Sequence, residues 1–277
     1  MKILIIQVES ADNLVTGEDV VIKNDIKYLQ KSGIDFNYER IKIPRLQWSS
    51  IISILGGLTW SFSNYKKVKS IIHNYNPDLV HFHTIVPYLS YSVIKAVNNS
   101  NTPLVQTLHN GRWICLEGGF FRNDTYCDDC VGSFGWLGVK RGCGHGKIIS
   151  FFLFFVNFVI RKFELLFQDV SRFIAVSNFV RDQHVNSGFP KDSIIVRNNG
   201  FDIATQVNID ESWLHRNGIV YAGRLSIAKG SKVLKYIIKN LNCKISIVGN
   251  GPESLVHYQQ YLSYLSLIHI SEPTRPY

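Results

Sequence analysis

The 277-residue sequence lacks the features that mark several classes of protein. It has no run of lysine and arginine with interleaved aromatic residues, which argues against a nucleic-acid partner. Met1 and Lys2 lead directly into ILIIQV, which is too short for the core of a signal peptide and has no small-residue cleavage site after it. These absences predict a cytoplasmic protein that binds no nucleic acid.

A dinucleotide-binding fingerprint is absent as well. Nicotinamide-dependent oxidoreductases carry G-x-G-x-x-G after the first strand and an acidic residue about 20 positions later. The first strand-like run here covers residues 3–8, and no such glycine pattern follows between Gln7 and Gly17. The sequence therefore argues against this class of enzyme.

Acidic residues are fewer than basic ones. The chain has 21 Asp and Glu against 30 Lys and Arg, which gives a formal net charge of +9. This balance suits an anionic partner such as a nucleotide, a polyphosphate or an acidic membrane surface, without choosing among them. Because 45% of the residues are hydrophobic, the chain is able to bury one large core or two.

Short apolar runs alternate with helix-like segments in the first part of the chain. The runs cover residues 3–8, 34–43, 79–83, 104–108, 173–177 and 194–196. This alternation predicts an α/β fold with a doubly wound parallel sheet, in which ligands bind at the carboxyl ends of the strands. His83 and His109 follow two of these strands. A histidine at such a position is more often a hydrogen-bonded structural residue than a catalyst.

A further strand, loop and helix begin at residue 219 with IVYAGRLSIAKG. Gly223 and Gly230 allow a backbone to approach a ligand closely, and the helix N-terminus offers unpaired N–H groups. Arg224 and Lys229 add two positive charges beside them. The segment predicts a diphosphate site, although strand-loop-helix units with one Arg and one Lys are also common without a ligand.

Four of the five cysteines lie within 29 residues. Cys115, Cys127, Cys130 and Cys143 have the spacing C-x11-C-x2-C-x12-C, and His145 follows two residues later. The close pair suits a zinc knuckle, and the two distant thiolates would complete a tetrahedral Zn²⁺ site. In a cytoplasmic chain a disulfide framework is disfavoured. A structural zinc is the main hypothesis, and a set of buried thiols is the alternative.

Residues 148–160 are apolar apart from Ser150 and Asn157, and Arg161-Lys162 follows at once. The run is shorter than the roughly 20 residues needed to cross a bilayer. Two interpretations stand at this point. One is a buried helix, and the other is a helix that dips an aromatic face into the membrane with its basic end at the head groups.

Two spaced motifs resemble a known family. GRLSIAKG, which ends at Gly230, resembles the G-R-L-x-x-x-K-G signature that opens the donor domain of GT-B glycosyltransferases of the family 4 type. Residues 248–253, VGNGPE, resemble the V-G-x-G-P-x that follows one strand later. The resemblance extends from Met1 to about Tyr264. It implies an α/β fold of the GT-B type, with two Rossmann-like doubly wound domains.

The resemblance also implies how the donor is held. In similar enzymes the Arg and Lys of the first motif hold the nucleotide diphosphate, which assigns this role to Arg224 and Lys229. Gly223, Gly249 and Gly251 are expected to line the same donor site. Positive side chains and helix N-termini stabilise the leaving group in GT-B enzymes, so no cofactor is expected to be required for catalysis.

Five residues are expected on the acceptor side. His109 matches a T-x-H position that lies near the reacting sugar in similar enzymes, and it joins Arg224 and Lys229 as the third expected catalytic residue. Ser177 and Asn199 match the A-x-S and P-N-G elements of the family. His83 and Gly17 complete the set by their places at a strand end and at the start of the first helix.

The sequence departs from the family pattern in two of these places. Family members often carry two glycines and an acidic residue at the start of the first helix, where Thr16-Gly17 here supplies one glycine. Arg197-Asn198 replaces the usual hydrophobic-Pro pair before Asn199.

By resemblance, the reaction is transfer of a sugar from a nucleotide-sugar donor to a lipid-linked or polysaccharide acceptor, with retention of anomeric configuration. The expected setting is bacterial surface polysaccharide assembly, with the protein cytoplasmic or peripheral at the inner face of the cell membrane. The alternative hypothesis is a non-catalytic module that binds a glycan or a partner protein and carries a structural zinc loop.

The predicted domains follow from these assignments. They are an N-terminal acceptor-side domain over residues 1–200 with a Cys-rich insertion at 111–147, a linker over 201–217, and a partial donor-nucleotide domain over 218–264. Residues 265–277 resemble read-through of adapter or vector DNA and are predicted to be a non-native tail.

Paired glutamates are missing from the second domain. The family grips the nucleotide sugar with an E-x7-E motif downstream of the G-x-G-P loop. Here Glu253 and Glu272 are the only acidic residues after Gly230, and they lie 19 positions apart. We therefore expect a truncated donor domain and no transferase turnover from the 277-residue chain.

Overall fold

A computed structural model of the chain describes residues 1–9, 16–42, 60–86, 89–144, 146–200, 217–241, 243–249, 251 and 265–267. The chain divides into two compact units. The first comprises Met1–Arg122 and Tyr126–Asp202, and the second comprises Asn123–Thr125 and Ile203–Tyr277. The predicted linker, residues 201–217, lies almost wholly outside the described residues.

The strands up to residue 200 are β1 Lys2–Glu9, β2 Asp35–Lys42, β3 Leu79–Phe82, β4 Leu104–Leu108, β5 Phe121–Arg122, β6 Thr125–Tyr126, β7 Arg172–Ala175 and β8 Ile194–Val196. Six of them form a parallel sheet in the order β2-β1-β3-β4-β7-β8. The chain runs outward from β1 to β2 and then returns to β3 on the other side of β1. The carboxyl ends of β1 and β3 therefore form the switch point at which doubly wound sheets bind ligands.

The helices of this part are α1 Gly17–Lys31, α2 Phe62–Tyr75, α3 Ser92–Asn98, α4 Trp136–Arg141, α5 Gly146–Lys162, α6 Leu165–Asp169 and α7 Asn178–Asn186. The first of them shows why the sequence folds as it does. Thr16 and Asp19 form a capping box at the start of α1, and the helix ends at Ser32, before Gly33 with φ of 66°.

Strand β1 is buried on both faces, as a strand in the middle of a parallel sheet should be. Leu4 and Ile6 belong to the large core on one face, together with Val80 and Phe82 of β3. Ile5 points to the opposite face, where it joins a smaller cluster that includes residues of α1. The continuous apolar run at residues 3–8 therefore corresponds to a strand covered on both sides.

The Cys-rich insertion contains more regular structure than its sequence indicates. Residues 111–147 have no usable period, yet they include the hairpin strands β5 and β6 and the helix α4. Two-residue strands and a six-residue helix are too short to leave a periodic pattern in a sequence. The helix predicted over residues 148–160 is present as α5. Within the described part of the chain, no helix is long and apolar enough to cross a membrane.

The described residues of the second unit form β9 Ile219–Ala222, a 3-10 turn at Ile227–Lys229, α8 Ser231–Asn240, β10 Ile245–Val248 and β11 Leu265–Leu267. The three strands are parallel, in the order β11-β10-β9. Leu234 and Ile238 of α8 pack on Ile245 and Ile247 of β10. Two strands were expected here. The third covers the first three residues of the segment assigned to a non-native tail, and the rest of that segment lies outside the described residues.

Candidate active site

The carboxyl ends of β1, β3 and β4 bring together residues that are far apart in sequence. Helix α1 begins at Gly17 after β1, Thr84 follows β3, and His109 follows β4. Glu18, in the first turn of α1, accepts hydrogen bonds at 2.9 Å from the backbone N–H of Thr84 and at 2.7 Å from its hydroxyl. This carboxylate ties the start of α1 to the end of β3 across the switch point.

Two of the predicted histidines contact each other. The Nδ1 atom of His83 lies 2.9 Å from Nε2 of His109, and the two rings are stacked with centroids 5.1 Å apart. His83 is fully buried, and its Nε2 atom has no partner among the described residues. His109 is partly exposed and borders a cleft that Thr84, Asn110 and Arg112 also line.

Burial keeps these imidazoles neutral. It holds the pKa of His83 well below the ordinary value, with the neighbouring His81 and His109 acting in the same direction. The pKa of His109 is also lowered by burial, although the nearby carboxylates Glu18 and Asp25 oppose the shift. A neutral pair is consistent with the hydrogen bond between the rings, because one nitrogen must donate and the other must accept.

Glu18, His83 and His109 each offer a metal-binding atom, and these atoms lie within 4.8 Å of one another. No other such group of three was found among the described residues. No three of the four clustered cysteines form such a group. Imidazole and carboxylate ligands of this kind suit transition metals, but both carboxylate oxygens of Glu18 already accept hydrogen bonds from Thr84.

A second polar network extends the site towards β2. The side chain of Gln7, at the end of β1, donates to Asp19 at 3.0 Å, and Arg40 of β2 pairs with the same carboxylate at 2.5 Å. Burial opposes ionisation of Asp19, but hydrogen bonds from Thr16 and Gln7 and the charge of Arg40 together outweigh it and lower the pKa of this carboxyl group. The edge of the sheet therefore presents fixed hydrogen-bonding groups beside Glu18.

The other acceptor-side candidates lie around these groups or further along the sheet. A side chain at Gly17 would meet nothing within 4 Å, so there is open space at the start of α1. The Ser177 oxygen accepts from the N–H of Val180 at 3.2 Å and caps α7, which is a structural role. Asn199 is exposed in the segment after β8. The acceptor roles of all three remain predictions.

Arg197, which departs from the family pattern, has a clear structural role. Its guanidinium donates to the buried carboxylate of Asp25 on α1 at 2.5 Å. Asn24 on the same helix donates to the carbonyl oxygen of Gly200 at 3.0 Å. These two contacts attach the segment after β8 to α1, so Asn199 is held near the first helix.

The predicted diphosphate loop lies between β9 and α8 of the second unit. The hydroxyl of Tyr221 is 3.0 Å from the carbonyl oxygen of Arg224 and 3.1 Å from that of Lys229, and it braces the loop from inside. The side chains of Arg224 and Lys229 are exposed and make no ion pair within the described residues. Gly230 has φ of 85° and precedes the first turn of α8. Free cations beside a helix N-terminus are suited to a phosphate group.

Gly249 and Gly251 serve close backbone packing in the same loop region. A Cβ atom at Gly249 would lie 2.0 Å from the carbonyl oxygen of Gly223, and one at Gly251 would lie 2.2 Å from that of Leu225. The segment after β10 therefore rests directly on the segment after β9. Neighbouring Asn250, Pro252 and Glu253 lie outside the described residues.

All five cysteines are free thiols. Cys115 and Cys130 are buried, and Cys127 and Cys143 are partly exposed. Burial, followed by the charge that Cys115 would carry, raises the pKa of Cys130 to about 11. The thiols are near enough to influence one another, and the zinc site stays a prediction. His145 lies outside the described residues.

The sequence analysis did not single out Glu18, Thr84 or Asp19 as site residues. For Glu18 and Asp19 a signal was available, since they form an acidic pair that directly follows Gly17 at the start of the first helix. Thr84 has no comparable signal, because its importance depends on the distance between two chain segments.

Two parallel-sheet units, with polar residues and a cationic loop near the carboxyl ends of their strands, define a protein of the doubly wound α/β class, in which ligands bind at these ends. The family model of Glycosyltransferase Family 4 matches residues 35–205, and the chain belongs to that family. The comparison with curated proteins found no match.

Solved structures share the fold. One is Anabaena Alr3699/HepE in complex with UDP, at 15% identity and a TM-score of 0.53, which covers 97% of this chain and 69% of that one. Another is the lipopolysaccharide outer core galactosyltransferase WaaB, at 12% identity and a TM-score of 0.53, which covers 96% of this chain and 67% of that one. The fold is therefore the predicted α/β fold of GT-B glycosyltransferases.

Proposed function

We propose that the protein transfers a sugar from a nucleotide-sugar donor to a lipid-linked or saccharide acceptor, with retention of configuration. The observation that carries this proposal is the linked group of Glu18, His83 and His109 at the switch point of a Family 4 sheet. The non-catalytic alternative does not account for free cations in the second unit and a neutral histidine at an open cleft in the first.

On the donor side, Arg224 and Lys229 bind the diphosphate. Both side chains are exposed, and the hydroxyl of Tyr221 contacts the backbone carbonyl oxygens of both residues. The loop is therefore held in one conformation, and its charges are available without rearrangement of the backbone. Charged hydrogen bonds to a diphosphate strengthen as negative charge develops on the leaving group. Structures of HepE were solved with UDP and with UDP-glucose, which supports a uridine diphosphate sugar as the donor class.

On the acceptor side, His109 contacts the reacting sugar or the acceptor hydroxyl. Since burial lowers its pKa, the imidazole is neutral at pH 7 and offers a hydrogen bond to an uncharged hydroxyl group. His83 orients the ring of His109 through the nitrogen contact of 2.9 Å. Gly17 leaves space at the start of α1, and Ser177 and Asn199 contribute hydrogen-bonding groups further along the sheet.

Calorimetric titration of the 277-residue chain with UDP, UMP and uridine tests the donor assignment. We expect affinity to fall in that order, because each missing phosphate removes contacts to the cationic loop. Equal affinity for UDP and uridine would contradict the assignment. Transfer of radiolabelled glucose from UDP-glucose to a lipid extract tests the reaction in a version of the protein whose second domain carries the paired glutamates. There His109→Ala should reduce transfer while His73→Ala, on an exposed position of α2, should not.

The inactivity expected of the 277-residue chain is part of the proposal. Nucleotide binding and sugar turnover are therefore measured separately. A chain that binds UDP but does not turn over UDP-glucose supports the donor assignment and the need for the paired glutamates. Turnover at a rate typical of such transferases would contradict the expected inactivity.

A further inference from the structure

Helix α5 has its polar residues on the inside and its phenylalanines on the outside. Ser150, Asn157 and Arg161 are buried, although they are the polar residues in the body of an apolar helix. Their side chains donate to backbone carbonyl oxygens of other segments, at 2.7 Å for Ser150, 3.3 Å for Asn157 and 3.1 Å for Arg161. These hydrogen bonds hold the helix in one rotation about its axis.

The opposite side of the helix is apolar and faces solvent. We define the aromatic face as Ile148, Phe151, Phe155 and Phe163, whose side chains are 62%, 43%, 50% and 65% exposed. The first three repeat at intervals of three and four residues, which places them on one side of the helix. The rings of Phe151 and Phe155 stack with centroids 6.4 Å apart. A contiguous exposed apolar patch marks an interaction site.

The surroundings of the aromatic face are basic. No Asp or Glu occurs between Cys130 and Phe163 in the sequence. Lys140, Lys147 and Lys162 are exposed and form no ion pair within the described part of the chain. One acidic residue, the exposed Glu164, directly follows Phe163 at one end of the face. The three lysines outnumber it, and an apolar face bordered mainly by lysines is complementary to an anionic lipid surface.

We propose that the aromatic face docks on a bilayer surface that contains anionic phospholipids. The phenylalanines enter the boundary between head groups and acyl chains, and the lysines contact lipid phosphates. The helix lies in the plane of the surface, since its 17 residues are too few to span the bilayer. A second copy of the chain is a poorer occupant, because a symmetric contact would bring the same lysines together.

This proposal deepens the proposed function, since a lipid-linked acceptor is presented at such a surface. Its test needs neither donor nor acceptor. Vesicles of phosphatidylcholine with phosphatidylglycerol, without any glycolipid, serve as the probe. Failure of vesicle binding with normal UDP binding would reject the docking surface alone, and the reverse result would reject the donor assignment alone.

Vesicle flotation of the full chain should show binding to vesicles with phosphatidylglycerol and little binding to phosphatidylcholine alone. The double variant Phe151→Ser/Phe155→Ser should lower the partition coefficient roughly tenfold or more. Lys147→Glu/Lys162→Glu should weaken binding by a similar factor. Phe62→Ser is the matched control, because Phe62 is 71% exposed on α2 of the same unit. Circular dichroism confirms that each variant is folded.

Trp136 offers a second measurement that does not depend on a change to α5. Its side chain is 44% exposed, and its ring lies 5.4 Å from that of Phe154. Brominated lipids should quench its fluorescence, and Trp136→Phe should abolish that part of the quenching.

Three results would overturn the proposal. They are an absence of vesicle binding, equal loss of binding in Phe62→Ser, and full binding by the phenylalanine double variant. A concentration-dependent dimer that the double variant abolishes, without vesicle binding, would assign the aromatic face to self-association instead.

Discussion

Glu18 accepts two hydrogen bonds from Thr84, one from the backbone N–H at 2.9 Å and one from the hydroxyl at 2.7 Å. The two residues are 66 positions apart: Glu18 lies in the first turn of α1, the helix that follows β1, and Thr84 lies directly after β3 and His83. The contact therefore joins the start of α1 to the segment after β3 at the switch point of the sheet. It also places the carboxylate within reach of His83 and His109.

Removal of the Thr84 hydroxyl should loosen this connection. Thr84→Val keeps the shape of the side chain but leaves one oxygen of Glu18 without its donor, so we expect a loss of about 1 to 2 kcal/mol. Urea unfolding followed through amide exchange of β3 measures it. Thr102→Val is the control, since that hydroxyl makes only a 3.3 Å contact within its own turn. Equal effects of the two changes would contradict a special role for Thr84.

Arg224 should contribute directly to nucleotide binding. Arg224→Ala removes an exposed cation from the loop after β9, and we expect UDP binding to weaken by roughly 1.5 to 3 kcal/mol, the range for a charged hydrogen bond. Isothermal calorimetry measures the change. Lys244→Ala is the matched control, because Lys244 is exposed just before β10, at the amino end of the same sheet. Unchanged affinity in Arg224→Ala would show that the loop does not hold the diphosphate.

Backbone packing at Gly249 should be sensitive to a single methyl group. Gly249→Ala puts a Cβ atom 2.0 Å from the carbonyl oxygen of Gly223, so one backbone segment must shift. We expect a cost above the ~1 to 3 kcal/mol typical of overpacking, measured as faster amide exchange in β9 and β10. Gly230→Ala provides the comparison, because its Cβ would meet no atom within 4 Å and carries only the strain of φ at 85°. A larger effect at Gly230 would contradict the close packing.

Acid should destabilise the first unit partly through His184. This histidine is fully buried, and burial lowers its pKa to about 4. The unfolded chain binds the proton below about pH 6.5 whereas the folded chain does not. The contribution of neutral His184 to the free energy of unfolding is therefore fully present above pH 6.5. It falls as the pH is lowered from 6.5 to about 4, by up to ~1.4 kcal/mol per pH unit.

Urea titrations between pH 4 and pH 7 measure that slope. His184→Gln should reduce it by up to one proton, because glutamine does not titrate in this range. His73→Gln, on an exposed position of α2, should leave the slope unchanged. An unaltered slope in His184→Gln would show that other groups bind the acid-linked protons.

The clustered cysteines are predicted to hold one Zn²⁺. Because burial raises the pKa of Cys130 to about 11, the metal must displace a proton, and binding should strengthen as pH rises. Elemental analysis should find about one equivalent of zinc, and chelation should lower the melting temperature. Cys127→Ser should lose the metal, whereas Cys243→Ser, in the second unit, should keep it. Protein prepared without chelators that contains no zinc would reject the site.

The alternating apolar runs predicted the parallel sheet and most of its strands, because a strand buried on both faces needs a continuous apolar run. The hairpin β5–β6 and helix α4 were not predicted, because such short elements depend on contacts rather than on their own periodicity.

By itself, the sequence determined the fold class, the family and the cationic loop at Arg224 and Lys229, since local patterns of polarity and glycine encode them. Only the tertiary structure showed that Glu18 reaches Thr84, that His83 contacts His109 and that α5 turns its phenylalanines outward. The physical reason is the same in each case. Hydrogen bonds between distant segments, such as those of Ser150, Asn157 and Arg161, decide which way a side chain faces, and their partners become neighbours only after the chain has folded.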